Sequence, residues 1–131
     1  MKKRNGFTLV ELLAVIVILA IILVIAVPQI MDTIDSARKA SLESSVKMVA
    51  AQAENQYTVA QTLGQTFTTT DGDCLEAAWA GLNDTDYESC TYDIDANGTA
   101  TVTIVGKGKF EKFPSCAGTR TAITACDKSS S

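Results

Sequence analysis

From Leu12 to Val27 the chain contains nothing but Leu, Ile, Val and Ala. Counted on to Met31, the uncharged segment reaches about 20 residues, the length that crosses roughly 30 Å of hydrocarbon. A run this long and continuous is a fully buried or membrane-spanning helix. Lys2, Lys3 and Arg4 precede it, and no basic residue follows until Arg38. That asymmetry predicts a single pass with the N-terminus in the cytoplasm and the remainder outside. Glu11 stands at the head of the run. A carboxylate at the bilayer centre costs roughly 2.5–3.5 kcal/mol, so Glu11 needs a compensating partner. Pro28 removes one backbone hydrogen bond and crowds the preceding turn, which predicts a kink or local loosening there. Helix-compatible sequence continues well beyond it.

From Ile30 the pattern becomes amphipathic. Ile34, Ala37, Leu42, Val46, Val49, Ala53, Tyr57 and Ala60 recur mostly at steps of three and four and form one stripe. Arg38, Lys39, Glu43, Lys47 and Glu54 take other positions. Glu43 and Lys47 make an i,i+4 pair in the favourable order, and Gly64 supplies a stop. The prediction is one helix of about 55 residues, roughly 80 Å long at 1.5 Å per residue. Its first half is apolar all round and its second half has a single apolar face.

Beyond residue 64 the elements shorten. "QTFTTTDG" reads as a linker. "DCLEAAWAGL" reads as a short helix, with Asp73 and Glu76 at capping-box spacing and Trp79 in its apolar face. "CTYDID", "ANG" and "TATVTIVG" read as strand, turn and strand, with Ala100, Val102 and Ile104 on one side. "KGKFEKF" reads as a turn and third strand, and "SCAGTRTAITAC" as a loop. The stripe on the helix needs an apolar partner, and the inner face of a small antiparallel sheet supplies it. The expected fold is therefore α+β, a long N-terminal helix packed against a small antiparallel sheet. The expected divisions are a leader (1–6), an apolar helix half (7–30) and a head (31–131). Within the head lie an amphipathic helix half (31–63), a connecting segment (64–89) and a sheet with a C-terminal region (90–131).

Composition excludes several functions. The chain has no histidine, so a histidine-based dyad and a histidine-ligated metal are both ruled out. Beyond the leader, eight basic residues face fifteen acidic ones, a net charge of −7, and Asp71–Asp95 holds eight acidic residues and no basic one. That field repels phosphate backbones, so direct nucleic-acid binding is not expected. Cys74, Cys90, Cys116 and Cys126 all fall in the part placed outside, where an even count reads as two disulfides. No C-x-x-C pair supports zinc. "DIDANG" (93–98) begins like an EF-hand loop, but Ile104 stands where a bidentate Glu is required. The better reading is a hairpin turn in which Asn97–Gly98 supplies the positive φ. Asn83 and Asn97 each head an N-x-T triplet and read as loop residues. No nucleophile–base constellation is present; neither an enzyme nor a cofactor is expected.

Two plain readings of residues 1–30 meet difficulties. A cleavable secretory signal is too short for this run and needs a small-x-small cleavage site that "VPQIMD" lacks. A simple signal anchor leaves Glu11 unexplained. "KKRNGFTLVELLAVIVILAIILVIAVPQ" resembles the N-terminus of type IV pilins and of their relatives, the pseudopilins of type II secretion and competence systems. The resemblance rests on the basic leader ending in Gly6, then Phe7, Thr8, Leu9, Glu11, the apolar run and Pro28. It implies a pilin-like fold and cleavage by a prepilin peptidase between Gly6 and Phe7, followed by N-methylation of Phe7. It also implies self-assembly into a filament, with Glu11 pairing with a neighbour's Phe7 amine, and extensibility near Pro28. The implied partners are other copies of the chain, the prepilin peptidase, an inner-membrane assembly platform with its ATPase, and the membrane before assembly. The precursor would sit in the cytoplasmic membrane and the product in an extracellular pilus or the cell envelope. Four cysteines allow three connectivities. The local pairing, Cys74–Cys90 with Cys116–Cys126, matches the family's disulfide-closed C-terminal region. The function implied is a structural subunit of a type IV pilus, serving motility, adhesion or DNA uptake, or alternatively a pseudopilin.

Overall fold

The computed structural model describes residues 6–129. The chain divides into two compact units, Met1–Ser36 and Ala37–Ser131. One helix, α1, runs Leu9–Leu63 and is continuous through Pro28. It ends in a Schellman motif. Gly64 adopts φ +68, its N–H donates to Gln61 O, and the Gln65 N–H donates to Ala60 O at 2.8 Å. Glycine tolerates that left-handed conformation without a Cβ clash.

Among the described residues of the first unit the large apolar side chains stay exposed. Phe7 is 93% exposed and Ile22 53% exposed. The described helix is long and apolar enough to cross a membrane.

In the second unit α1 buries Leu42, Val46, Val49, Ala50, Ala53 and Ala60. Ile34 and Ala37, expected on the same stripe, are exposed, and Tyr57 is half-buried. The partner is a five-stranded antiparallel sheet with strands in chain order. β1 is Gly72–Asp73, β2 Tyr87–Ile94, β3 Ala100–Gly106, β4 Cys116–Gly118 and β5 Ile123–Cys126. Along β3, Ala100, Val102 and Ile104 point inward with no exposed area, while Thr101 and Thr103 point away. Tyr92, Phe110, Phe113 and all four cysteines complete the core. Cys74 is bonded to Cys90, and Cys116 to Cys126.

Three expectations are corrected. "DCLEAAWAGL" is not a helix. Gly72 and Asp73 pair with Tyr92 and Thr91, and Cys74 is held to Cys90, so the segment's start is extended. Only Ala78–Ala80 forms a 3-10 turn. Asp73 Oδ1 still accepts the N–H groups of Leu75 (2.8 Å) and Glu76 (3.4 Å). "KGKFEKF" is not a strand either. Gly108–Phe110 is a 3-10 turn, and it buries Phe110 and Phe113 together, a three-residue spacing that a strand would split between its faces. The C-terminal cysteine segment is no loop, because Cys116 and Cys126 are register partners in the β4–β5 hairpin.

Polar contacts set the register of α1 on the sheet. Ser45 Oγ and the Tyr87 hydroxyl lie 2.9 Å apart. Glu54 bridges two places: Oε1 accepts the Ala100 N–H at 3.1 Å, and Oε2 lies 3.2 Å from Arg120 Nε. Ala100 is fully buried, so removing Glu54 strands a buried donor, whereas the Arg120 side chain is 60% exposed. Glu54→Ala is therefore expected to cost about 1–3 kcal/mol, and Arg120→Ala no more than about 1 kcal/mol. Denaturant unfolding of both variants checks the contrast.

Tyr92 closes the other end of the core. Its ring lies over Gly72, where a Cβ would overlap it, and it contacts Phe67 and Trp79. Burial raises its phenol above the ordinary 10.0. The unfolded chain then loses that proton first as pH rises, so this contribution to stability is complete below pH about 10 and is lost above it. Thermal melting across the alkaline range should show the decline, and Tyr92→Phe should flatten it.

Candidate assembly site at the helix N-terminus

Glu11, at the head of the apolar run, needs a compensating partner. The structure supplies one. Thr8 is the residue before α1, and Glu11 is the third residue within it. The Thr8 N–H donates to Glu11 Oε2 at 3.3 Å, and the Glu11 N–H donates to Thr8 Oγ1 at 3.2 Å. The helix ladder begins directly, with the Leu12 N–H on Thr8 O at 3.2 Å. This is a reciprocal capping box. It satisfies two of the donors that every helix N-terminus leaves open, and it sets the carboxylate against the positive end of the helix dipole.

Phe7 and Leu12 occupy the positions of a hydrophobic staple, one before the cap and four after it. Together with Glu11, Ala14 and Val15 they line one shallow groove. The signal for the box was legible as T-x-x-E ahead of an apolar run, and the sequence reading passed over it.

Gly6 sits just outside. A Cβ placed there would meet nothing within 4 Å, so local packing in this chain does not require a glycine at that position. The structure brings Gly6, Phe7 and Glu11 together at one end of α1. Pro28 lies farther along the helix, where one turn lacks a backbone donor. Thr33 Oγ1 bonds back to Gln29 O at 3.0 Å just beyond it.

The remaining candidates lie in the second unit. Among the described residues no cluster of three or more acidic or cysteine side chains is arranged to hold a metal ion. In the "DIDANG" segment, Asp95 Oδ1 accepts the N–H groups of Asn97 and Thr99 at 2.8 and 3.0 Å, and Gly98 adopts φ +82. That is the hairpin turn between β2 and β3. Trp79 is half-buried and packs edge-on against Tyr92, with ring centroids 5.5 Å apart. Asn83 Oδ1 accepts the N–H groups of Thr85 and Asp86 and so closes a loop.

The cap has a measurable value. Thr8→Ala should lower the stability of the first helical turn by about 0.5–2 kcal/mol. Amide hydrogen exchange of Leu9–Leu12 in detergent micelles should quicken accordingly, while exchange in β2 and β3 stays unchanged.

Residues 1–27 match the family described as the prokaryotic N-terminal methylation motif, the class III signal of type IV pilins and pseudopilins. No curated protein and no solved structure matches the chain. The motif supports a type IV pilin or pseudopilin in general, and together with the long apolar helix behind it fits a membrane-anchored precursor.

Proposed function

We propose that this chain is a pilin, the repeating structural subunit of an external type IV pilus, and that it polymerises through α1. The observation carrying the proposal is a methylation motif at residues 1–27 leading into a helix whose large apolar side chains stay exposed among the described residues of the first unit. A prepilin peptidase cleaves after Gly6, and the new amine of Phe7 is N-methylated. Before assembly, lipid covers the apolar run. Afterwards the same run packs against other copies of itself. That transfer goes from one hydrocarbon environment to another, so its free energy is small and an ATPase-driven platform can move subunits across it.

In this reading Glu11 has two successive partners. In the precursor its carboxylate closes the capping box on Thr8. In the filament it faces the cationic Phe7 amine of a neighbouring copy. A buried charge is costly alone and tolerable when paired, so the pair favours one axial register among the stacked helices, as single buried polar groups do in coiled coils. The extensibility of such a filament is assigned to the turn missing a hydrogen bond at Pro28.

Two experiments test the proposal. Glu11→Gln keeps an acceptor for the Thr8 N–H but removes the charge. It should insert in the membrane as the native chain does and yield no filaments, whereas normal filaments from this variant would refute the charge pairing. Mass spectrometry of the N-terminal peptide from sheared extracellular material should find N-methylated Phe7 in abundance. Processed peptide confined to the cell envelope would assign the chain as a pseudopilin instead, and an unprocessed Met1 form alone would leave only a membrane anchor.

A further inference from the structure

The turn joining β2 to β3 holds an Asn–Gly pair, Asn97–Gly98, in which the residue after the asparagine has no side chain to shield its backbone nitrogen. Asn97 is exposed, and its carboxamide has no hydrogen-bond partner among the described residues. Gly98 offers no Cβ to hinder approach to its nitrogen. The other asparagines differ. Asn83 is followed by Asp84 and its side-chain oxygen is engaged by two N–H groups, Asn55 lies inside α1, and Asn5 lies outside the described residues.

What surrounds the pair is a set of restraints converging on one residue. Asp95 Oδ1 accepts the Asn97 N–H at 2.8 Å and the Thr99 N–H at 3.0 Å, so a single carboxylate oxygen grips the chain on both sides of Gly98. The Gly98 N–H itself donates to the Asp95 carbonyl oxygen at 3.0 Å, and the Asp95 N–H donates to Thr99 O at 3.1 Å. We propose that Asn97 is a site of spontaneous deamidation and that Asp95 holds it dormant in the folded protein.

The chemistry needs only water. The backbone nitrogen of Gly98 attacks Cγ of Asn97. A nitrogen–carbon bond forms, the Cγ–Nδ2 bond breaks, and ammonia leaves, carrying away the amide proton. Water then opens the resulting five-membered imide at either carbonyl, giving aspartate or isoaspartate, with nothing oxidised or reduced. The first step requires the Gly98 nitrogen to give up its bond to Asp95 O and the Asn97 backbone to rotate towards its own side chain. Both movements break bonds that Asp95 maintains, so reaction waits on local opening of the turn. The product places a further carboxylate beside Asp93 and Asp95. The isoaspartate form also lengthens the turn backbone where the Cβ position of Gly98 lies 3.7 Å from the Tyr57 ring.

The full-length chain in detergent micelles, disulfides intact, is incubated in warm, mildly alkaline buffer, and the peptide containing Asn97 is followed by mass spectrometry with isoaspartate detection. The native chain should convert about tenfold more slowly than the same chain reduced and denatured, and Asp95→Ala should recover most of that difference. Asp95→Asn retains a side-chain acceptor oxygen and should stay close to the native rate. Equal rates in folded and denatured chains, no acceleration in Asp95→Ala, or an Asp95→Asn rate as fast as Asp95→Ala would each overturn the proposal. Should Asp95→Ala fail to fold, hydrogen exchange in the native chain decides. The Asn97, Gly98 and Thr99 amides must be protected, and exchange at the free-peptide rate would overturn the clamp.

Discussion

The second unit depends on the packing of one narrow stripe of α1 against the inner face of β2 and β3. Leu42, Val46, Val49, Ala50 and Ala53 meet Tyr92, Val102 and Ile104 in a single buried cluster. Ala50 and Ala53 in the stripe are small and fully buried, and the neighbouring Glu54 side chain reaches across to the strand backbone. Glu54 can therefore cap the buried N–H of Ala100 at the start of β3. Without the helix the sheet has no second layer, and without the sheet this half of the helix has no reason to be amphipathic.

A sheet this small is weakest at its edges. β1 has two residues and β5 has four. Each is secured covalently to the strand beside it, at Cys74–Cys90 and Cys116–Cys126. Closing a loop of this size in the unfolded chain is worth about 3 kcal/mol in the loop-entropy account, a large fraction of the stability of a small domain. The disulfides and the strand pairings act at the same places. Cys116 and Cys126 are register partners on β4 and β5, and Cys74, the residue directly after β1, donates its N–H to the Cys90 carbonyl of β2 at 3.0 Å, so both bridges form where the backbones already meet.

The first unit follows a different logic. A helix satisfies its backbone internally, so it can sit in lipid or among other helices with no change in its own hydrogen bonding. The exception is its N-terminus, where donors are left over. Thr8 and Glu11 deal with that locally, which gives an otherwise costly carboxylate a role inside the single chain as well as in the proposed filament. An anion at a helix N-terminus is favourable on both counts.

Much of this was legible in the sequence because the determinants are local. The length of the apolar run, the step from all-round to one-sided apolarity, and the stop at Gly64 all depend on neighbours within a few turns, and α1 ends where the sequence places its end. The alternation in Ala100–Ile104 identified the buried face of β3 for the same reason. The reading failed at "DCLEAAWAGL", "KGKFEKF" and "SCAGTRTAITAC". The helix, strand and loop expected there were overridden by partners remote in sequence: Thr91 and Tyr92 for Gly72–Asp73, the core for Phe110 and Phe113, and β3 for β4. Glu54 looked like one more solvent-facing charge until the fold brought Ala100 and Arg120 to it. The sequence by itself determined where this protein is apolar and where its helix begins, turns amphipathic and stops, since these follow from side-chain periodicity along one element. Only the tertiary structure decided which short segments became strands and which carboxylate ties helix to sheet, because those choices are made by long-range burial and hydrogen bonds that no local window contains.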